Sequence, residues 1–196
     1  MTTNDSSFIP PSGEPQGALA KGMTGRRRLL TYGLGAVAGL AGAGWGWWRM
    51  QPSGLADGVL DAFWAAQFDG IDGVPVAMQA FAGKPLLLNF WATWCPPCVE
   101  ELPLLNSFYH QHRDKGWQVL GLAIDQPGNV HKFLQRMALD FPLALGQATA
   151  TQFSRDLGND VGGLPFSILF AADGSIAQRK MGQLKEDDLD RWVASL

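Results

Sequence analysis

The stretch "PLLLNFWATWCPPC", Pro85–Cys98, holds the only two cysteines in a chain of 196 residues. Pro85 to Trp91 is a continuous run, apolar but for Asn89, which is the pattern of a strand covered on both faces. From Pro97 to about Arg113 the apolar residues Val99, Leu102, Leu105 and Phe108 recur at helical spacing. A strand therefore ends at Trp91 and a helix begins near Pro96. That puts Cys95 at the helix N-cap and Cys98 one turn inside. Pro96 and Pro97 suit the position, because the first N–H groups of a helix have no intrahelical partner. The same unpaired N–H groups, with the positive end of the helix dipole, favour a thiolate at Cys95.

Such a pair can be a structural clip, half of a metal site or a redox couple. The clip would close a very short loop, where the entropic gain is smallest. A metal site needs two further soft or imidazole ligands. The only histidines are His110, His112 and His131. The first two lie i,i+2 and do not share a helix face, and all three have the polar neighbours of surface residues. We therefore read a redox couple, with no metal and no organic cofactor beyond the Cys95–Cys98 disulfide itself. Cys95, on the exposed side, is the expected nucleophile and Cys98, turned inward, the resolving thiol.

Towards the N-terminus the character of the chain changes. Residues 1–25 are polar and rich in Pro, Gly and Ser, and with Arg26-Arg27-Arg28 they read as a disordered basic tail over 1–28. Leu29–Trp48 then runs for twenty residues without a charge. As a helix it would span about 30 Å, the thickness of a bilayer's hydrocarbon core. Its six glycines disfavour a soluble helix, at up to about 1 kcal/mol each relative to alanine. The arginines before it place the N-terminus in the cytoplasm, and Trp45, Trp47 and Trp48 mark the far interface. "RRRLLT" also resembles a twin-arginine export pattern. An uncleaved anchor is the expectation, with cleavage the alternative. Residues 49–60 form a linker and 61–196 a folded domain.

Within that domain "AFWAAQF" and "VPVAMQAF" look like a leading hairpin joined by "DGIDG". Trp117–Ile124 is a second buried strand, "NVHKFLQRMAL" a helix, "FPLAL" a short strand and "TATQFSRDL" a short helix. Phe166–Phe170 and Ser175–Met181 form a strand, tight turn and strand, and "KEDDLDRWVASL" is an amphipathic closing helix. This alternation predicts an α/β fold with a mixed sheet. The formal net charge of −3 shows no basic excess, so nucleic acid is not an expected partner.

"NFWATWCPPCVEELP" (Asn89–Pro103), followed by "GLPFSILF" (Gly163–Phe170), resembles the membrane-anchored thioredoxin-like reductases of the TlpA/ResA type, over roughly Ala62–Leu196. The resemblance implies a thioredoxin fold with a helix and a strand inserted within about Gln126–Gln152. It implies a cis bond at Leu164–Pro165 facing the disulfide, where the Leu164 backbone would pair with an extended substrate strand. Trp94, expected to cover the disulfide, Pro96, Leu164 and Pro165 are then the substrate-binding residues. Glu101 matches the family's acid, at i+3 from Cys98. A partly buried carboxyl there would hold a raised pKa and carry the proton of Cys98, while Glu100 stays solvated. Asn89 departs from ordinary thioredoxin, which has an acid in this strand. Pro103 should kink the helix.

The function so implied is an extracytoplasmic thiol-disulfide oxidoreductase. It would sit on a bacterial cytoplasmic membrane by a single pass, with its catalytic domain on the periplasmic side. Client protein disulfides, such as those of apocytochrome c or copper-site assembly proteins, would be its substrates. An integral-membrane thiol carrier would re-reduce it. A Cu(I)-handling protein and a disulfide donor of opposite direction are the rivals. A docking protein with a vestigial site is a third.

Overall fold

The computed structural model describes Leu55 and residues 57–196. The tail, the apolar span and most of the linker lie outside the described residues. Among those described, no helix is long and apolar enough to cross a membrane. In chain order the elements are α1 (Val59–Ala65), β1 (Gln67–Gly70), β2 (Val76–Ala77), β3 (Leu86–Trp91), α2 (Pro96–His112), β4 (Gln118–Ala123), α3 (Pro127–Leu134), β5 (Leu143–Leu145), α4 (Gln147–Asp156), β6 (Phe166–Phe170), β7 (Ile176–Met181) and α5 (Glu186–Ala194). Short 3-10 turns occupy Met78–Phe81 and Arg113–Lys115.

The seven strands form one sheet in the order β2-β1-β5-β4-β3-β6-β7. β3, β4 and β5 run parallel, and β6 and β7 return antiparallel beside β3. This is the mixed sheet with a terminal hairpin that the strand pattern predicts. All six β3 residues are buried, which explains why they read as an unbroken run rather than an alternation. Side chains of period two send Leu87 and Trp91 into one core, with α2, α3 and α5, and Leu86, Leu88 and Phe90 into the other, with α1 and α4. Between β4 and α4 lie a helix and a strand, α3 and β5, within residues 126–152.

The leading hairpin differs from expectation in its first half. Residues 59–65 are helical, taking in Val59 and Leu60 of the expected linker, and only Gln67 and Phe68 pair with Val76–Ala77, while Asp69 and Gly70 pair with β5. A short run that is apolar but for Gln67 fits either period, and here tertiary packing decides. As a helix the segment buries Phe63 completely, stacked on Phe170 at 5.2 Å and edge-on to Phe153 at 5.5 Å. The next residue, Trp64, donates its indole N–H to the Gly174 carbonyl at 3.0 Å, tying α1 to the β6–β7 turn. Burying Phe63 contributes about 1.5–3 kcal/mol. α3 also stops at Leu134, short of the expected Leu139. α2 remains one helix through Pro103.

Candidate active site

β3 delivers the chain to Trp91, and a tight loop turns it into α2. Cys95 is the N-cap of α2: its backbone is extended (φ −99°, ψ 101°) and its sulfur accepts from the Cys98 N–H at 3.3 Å. Cys95 and Cys98 form a disulfide. Cys98 is fully buried, and Cys95 is only 4% exposed, less open than its place at the helix start suggests. The solvent-facing residues are its neighbours, Trp94 at 64% exposure and Pro96. Trp94 thus stands largely in solvent.

The loop ahead of Cys95 is fastened by a residue that carries no signal in the sequence. Asp125, two residues beyond β4, accepts from both the N–H and the hydroxyl of Thr93 through Oδ2. Its Oδ1 accepts from the Gln126 N–H at 2.6 Å and from Asn129 Nδ2 at 2.9 Å. Burial opposes the charge on this carboxylate, but the four donors prevail and hold its pKa below the usual range. The reactive loop is thereby clamped to the β4–α3 junction.

Behind the disulfide, one turn further along α2, Glu101 is 1% exposed rather than partly buried. Its Oε1 accepts from Asn89 Nδ2 at 2.7 Å, and its Oε2 accepts from the Leu184 N–H at 2.6 Å. Desolvation nonetheless dominates and pushes the carboxyl up to about 7, against those two donors and the nearby charge of Lys180. An acid so poised can exchange a proton at neutral pH. Glu100, by contrast, is exposed. Asn89 also donates to Ser167 Oγ at 2.9 Å, and Ser167 is its register partner across β3 and β6. Ser167 is a second site residue that sequence reasoning misses.

The Leu164–Pro165 bond is cis. Because Phe90 pairs with Phe166, this bond lies at the end of the sheet where β3 gives way to the cysteine loop. Pro165 is buried, and Leu164 packs against the core cluster that contains both cysteines. The approach to it is fixed by buried Asn159, whose Nδ2 donates to Ser154 Oγ and to the Gly163 carbonyl, each at 2.8 Å. Gly162 in this loop has φ 66°, a conformation that favours glycine. Among the described residues no group of three or more His, Cys, Asp or Glu is placed to hold a metal ion.

Comparison with known proteins agrees with this geometry. The model of the Redoxin family matches residues 61–194. The thiol-disulfide oxidoreductase ResA of a Bacillus cereus strain is 30% identical over 128 residues, covering 64% of this chain and 71% of that relative. ResA of Geobacillus kaustophilus is 31% identical over 120 residues, covering 61% and 67%. Among solved structures, a thiol:disulfide interchange protein of the thioredoxin family from Chlorobium tepidum TLS superposes with a TM-score of 0.60 at 25% identity, covering 66% of this chain and 90% of that one. StoA from Bacillus subtilis gives 0.54 at 25% identity, covering 65% and 95%. With most of its length matched and its cysteine pair at bonding distance where the fold brings β3 to α2, the chain belongs to the Redoxin family and is a thiol-disulfide oxidoreductase of thioredoxin-like fold.

Proposed function

We propose that the protein works as a reductant of client disulfides on the outer side of a bacterial cytoplasmic membrane, anchored by Leu29–Trp48. The observation that carries this reading is the pairing of a disulfide at a helix N-terminus with a fully buried carboxyl, poised near neutrality, one turn behind it. In the reduced protein Cys95 attacks a client disulfide, favoured as a thiolate by the α2 N-terminus and the Cys98 N–H. Cys98 gives its proton to Glu101 and resolves the mixed disulfide, so the client leaves reduced and Cys95–Cys98 is re-formed. Trp94 and Pro96, exposed beside Cys95, and the Leu164–Pro165 segment form the surface that receives the client. Apocytochrome c and copper-site assembly proteins are the client classes we favour. An integral-membrane thiol carrier supplies the electrons, with no further cofactor.

Insulin reduction driven by a small dithiol tests the chemistry. The wild type should accelerate it and Cys95→Ser should stay at background; full turnover by Cys95→Ser contradicts the mechanism. For the anchor, deletion of Leu29–Trp48 should release the protein from carbonate-washed membranes. Release of the intact chain by the same wash would refute it.

A further inference from the structure

We propose that Asn89 and Ser167 are a positioning pair that serves both protonation states of Glu101, the carboxamide of Asn89 turning over as the proton arrives or leaves. This rests on Glu101 being the proton carrier proposed above.

The geometry designates where the proton sits. Oε2 of Glu101 is met by a fixed donor, the Leu184 backbone N–H, so an added proton there would face another hydrogen. Oε1 faces Asn89, whose amide has both a donor end and an acceptor end. The proton therefore belongs on Oε1. As observed, Nδ2 spends both its hydrogens, one on Glu101 and one on Ser167 Oγ, while the buried Oδ1 has no partner among the described residues. That arrangement suits an ionised Glu101. A half-turn of the amide exchanges Oδ1 and Nδ2 in a nearly unchanged volume. Oδ1 then accepts from Glu101 Oε1–H and from the Ser167 hydroxyl, which can reverse its own role by rotating.

Both arrangements make two hydrogen bonds, the first leaving Oδ1 over and the second leaving the Nδ2 group over. Burial still favours the protonated acid, but Glu101 Oε1 and Ser167 Oγ each keep a partner when the proton moves. Leucine at 89 would serve neither state, and an aspartate would set a second carboxyl against the first. The surrounding charges do not substitute for this device. Lys180 of β7 is paired with Asp188 of α5 at 3.0 Å, and Arg191 also holds Asp188. On α2 itself Cys98 lies one turn before Glu101, and the adjacent Glu100 is exposed.

The step balances. Cys98 loses its proton to Glu101, and its sulfur bonds to Cys95 Sγ. The bond from Cys95 to the client sulfur breaks, and the client leaves as a thiolate that water protonates. Oxidation of the dithiol by two electrons matches reduction of the client disulfide.

The test is NMR of the reduced protein with labelled glutamate and asparagine side chains, followed across the Glu101 titration. Both Asn89 amide protons should lose their hydrogen-bonded shifts with the same midpoint as the Glu101 carboxyl. In Asn89→Leu the acid constant of Glu101 should change by less than about threefold, whereas a permanent donor at 89 predicts weakening by about tenfold or more. Asn89 resonances that stay fixed through the titration overturn the proposal, and that measurement needs no variant. A Glu101→Gln protein that resolves mixed disulfides at the wild-type rate would instead remove the proton-carrier reading, and this proposal with it. Slowed resolution in Glu101→Gln together with a fixed Asn89 amide removes this proposal alone.

Discussion

The two faces of the central sheet are built from the same strands and do different work. On one, Leu86, Leu88 and Phe90 of β3 meet Phe166, Ile168 and Phe170 of β6 beneath α1 and α4, with Phe90 and Phe166 stacked at 5.9 Å. On the other, the alternate residues of β3 and β6 include Asn89 and Ser167, facing Glu101 on α2 in the core that also holds both cysteines. Burying a carboxyl and an amide costs free energy that hydrophobic side chains in the same places would not. The all-apolar face can supply the stability that permits this, and the difference teaches that a single residue of strand register separates packing from chemistry.

The sharpest break between the faces should come from Cys95→Ser, with loss of all disulfide exchange and a fold that still melts cooperatively. Next is Phe63→Ala on the apolar face, expected to destabilise by about 3–5 kcal/mol; thermal melts would show it, while the alkylation rate of Cys95 in folded molecules stays unchanged. A change in that rate would mean the faces are coupled.

Glu101→Gln tests the chemical face, and should slow resolution of a mixed disulfide at neutral pH by about 100-fold. It also has a stability signature. The folded-state pKa of about 7 lies above the ordinary 4.5, so between those values the folded protein keeps a proton the unfolded chain has lost. Stability therefore falls as pH rises through that window, by on the order of 3 kcal/mol, and is flat above it. Denaturant melts from pH 4.5 to 8 should show this decline in the wild type and not in Glu101→Gln.

Smaller effects belong to the loop between the faces. Thr93→Val leaves Asp125 with one donor fewer and should cost about 1–2 kcal/mol, together with slower alkylation of Cys95. The smallest is Trp94→Ala. This side chain stands mostly in solvent, so stability should move by no more than about 0.5 kcal/mol, while the KM for a peptide disulfide rises severalfold.

The parts legible in the sequence are those with local signals. A six-residue buried strand, two prolines at a helix start and a Glu one turn after the second cysteine need only neighbouring residues to be read. The cis bond is implied by the resemblance that "GLPFSILF" carries, not by composition. Asp125 and Ser167 are not legible, because their partners Thr93 and Asn89 lie 32 and 78 residues away and no periodicity marks a hydrogen bond across a fold. α1 escapes a sequence reading because its apolar run suits strand and helix alike, and Phe170, more than a hundred residues on, decides it. The slight exposure of Cys95 is equally hidden, since an N-cap position sets the backbone, not what packs over the sulfur.

The most direct test is the equilibrium reduction potential of the Cys95–Cys98 pair, read from the purified protein in a series of thiol buffers. A protein built to reduce its clients should give a value near that of thioredoxin, about −270 mV. A value near about −120 mV, that of a strong oxidant, would contradict the direction of electron flow proposed here.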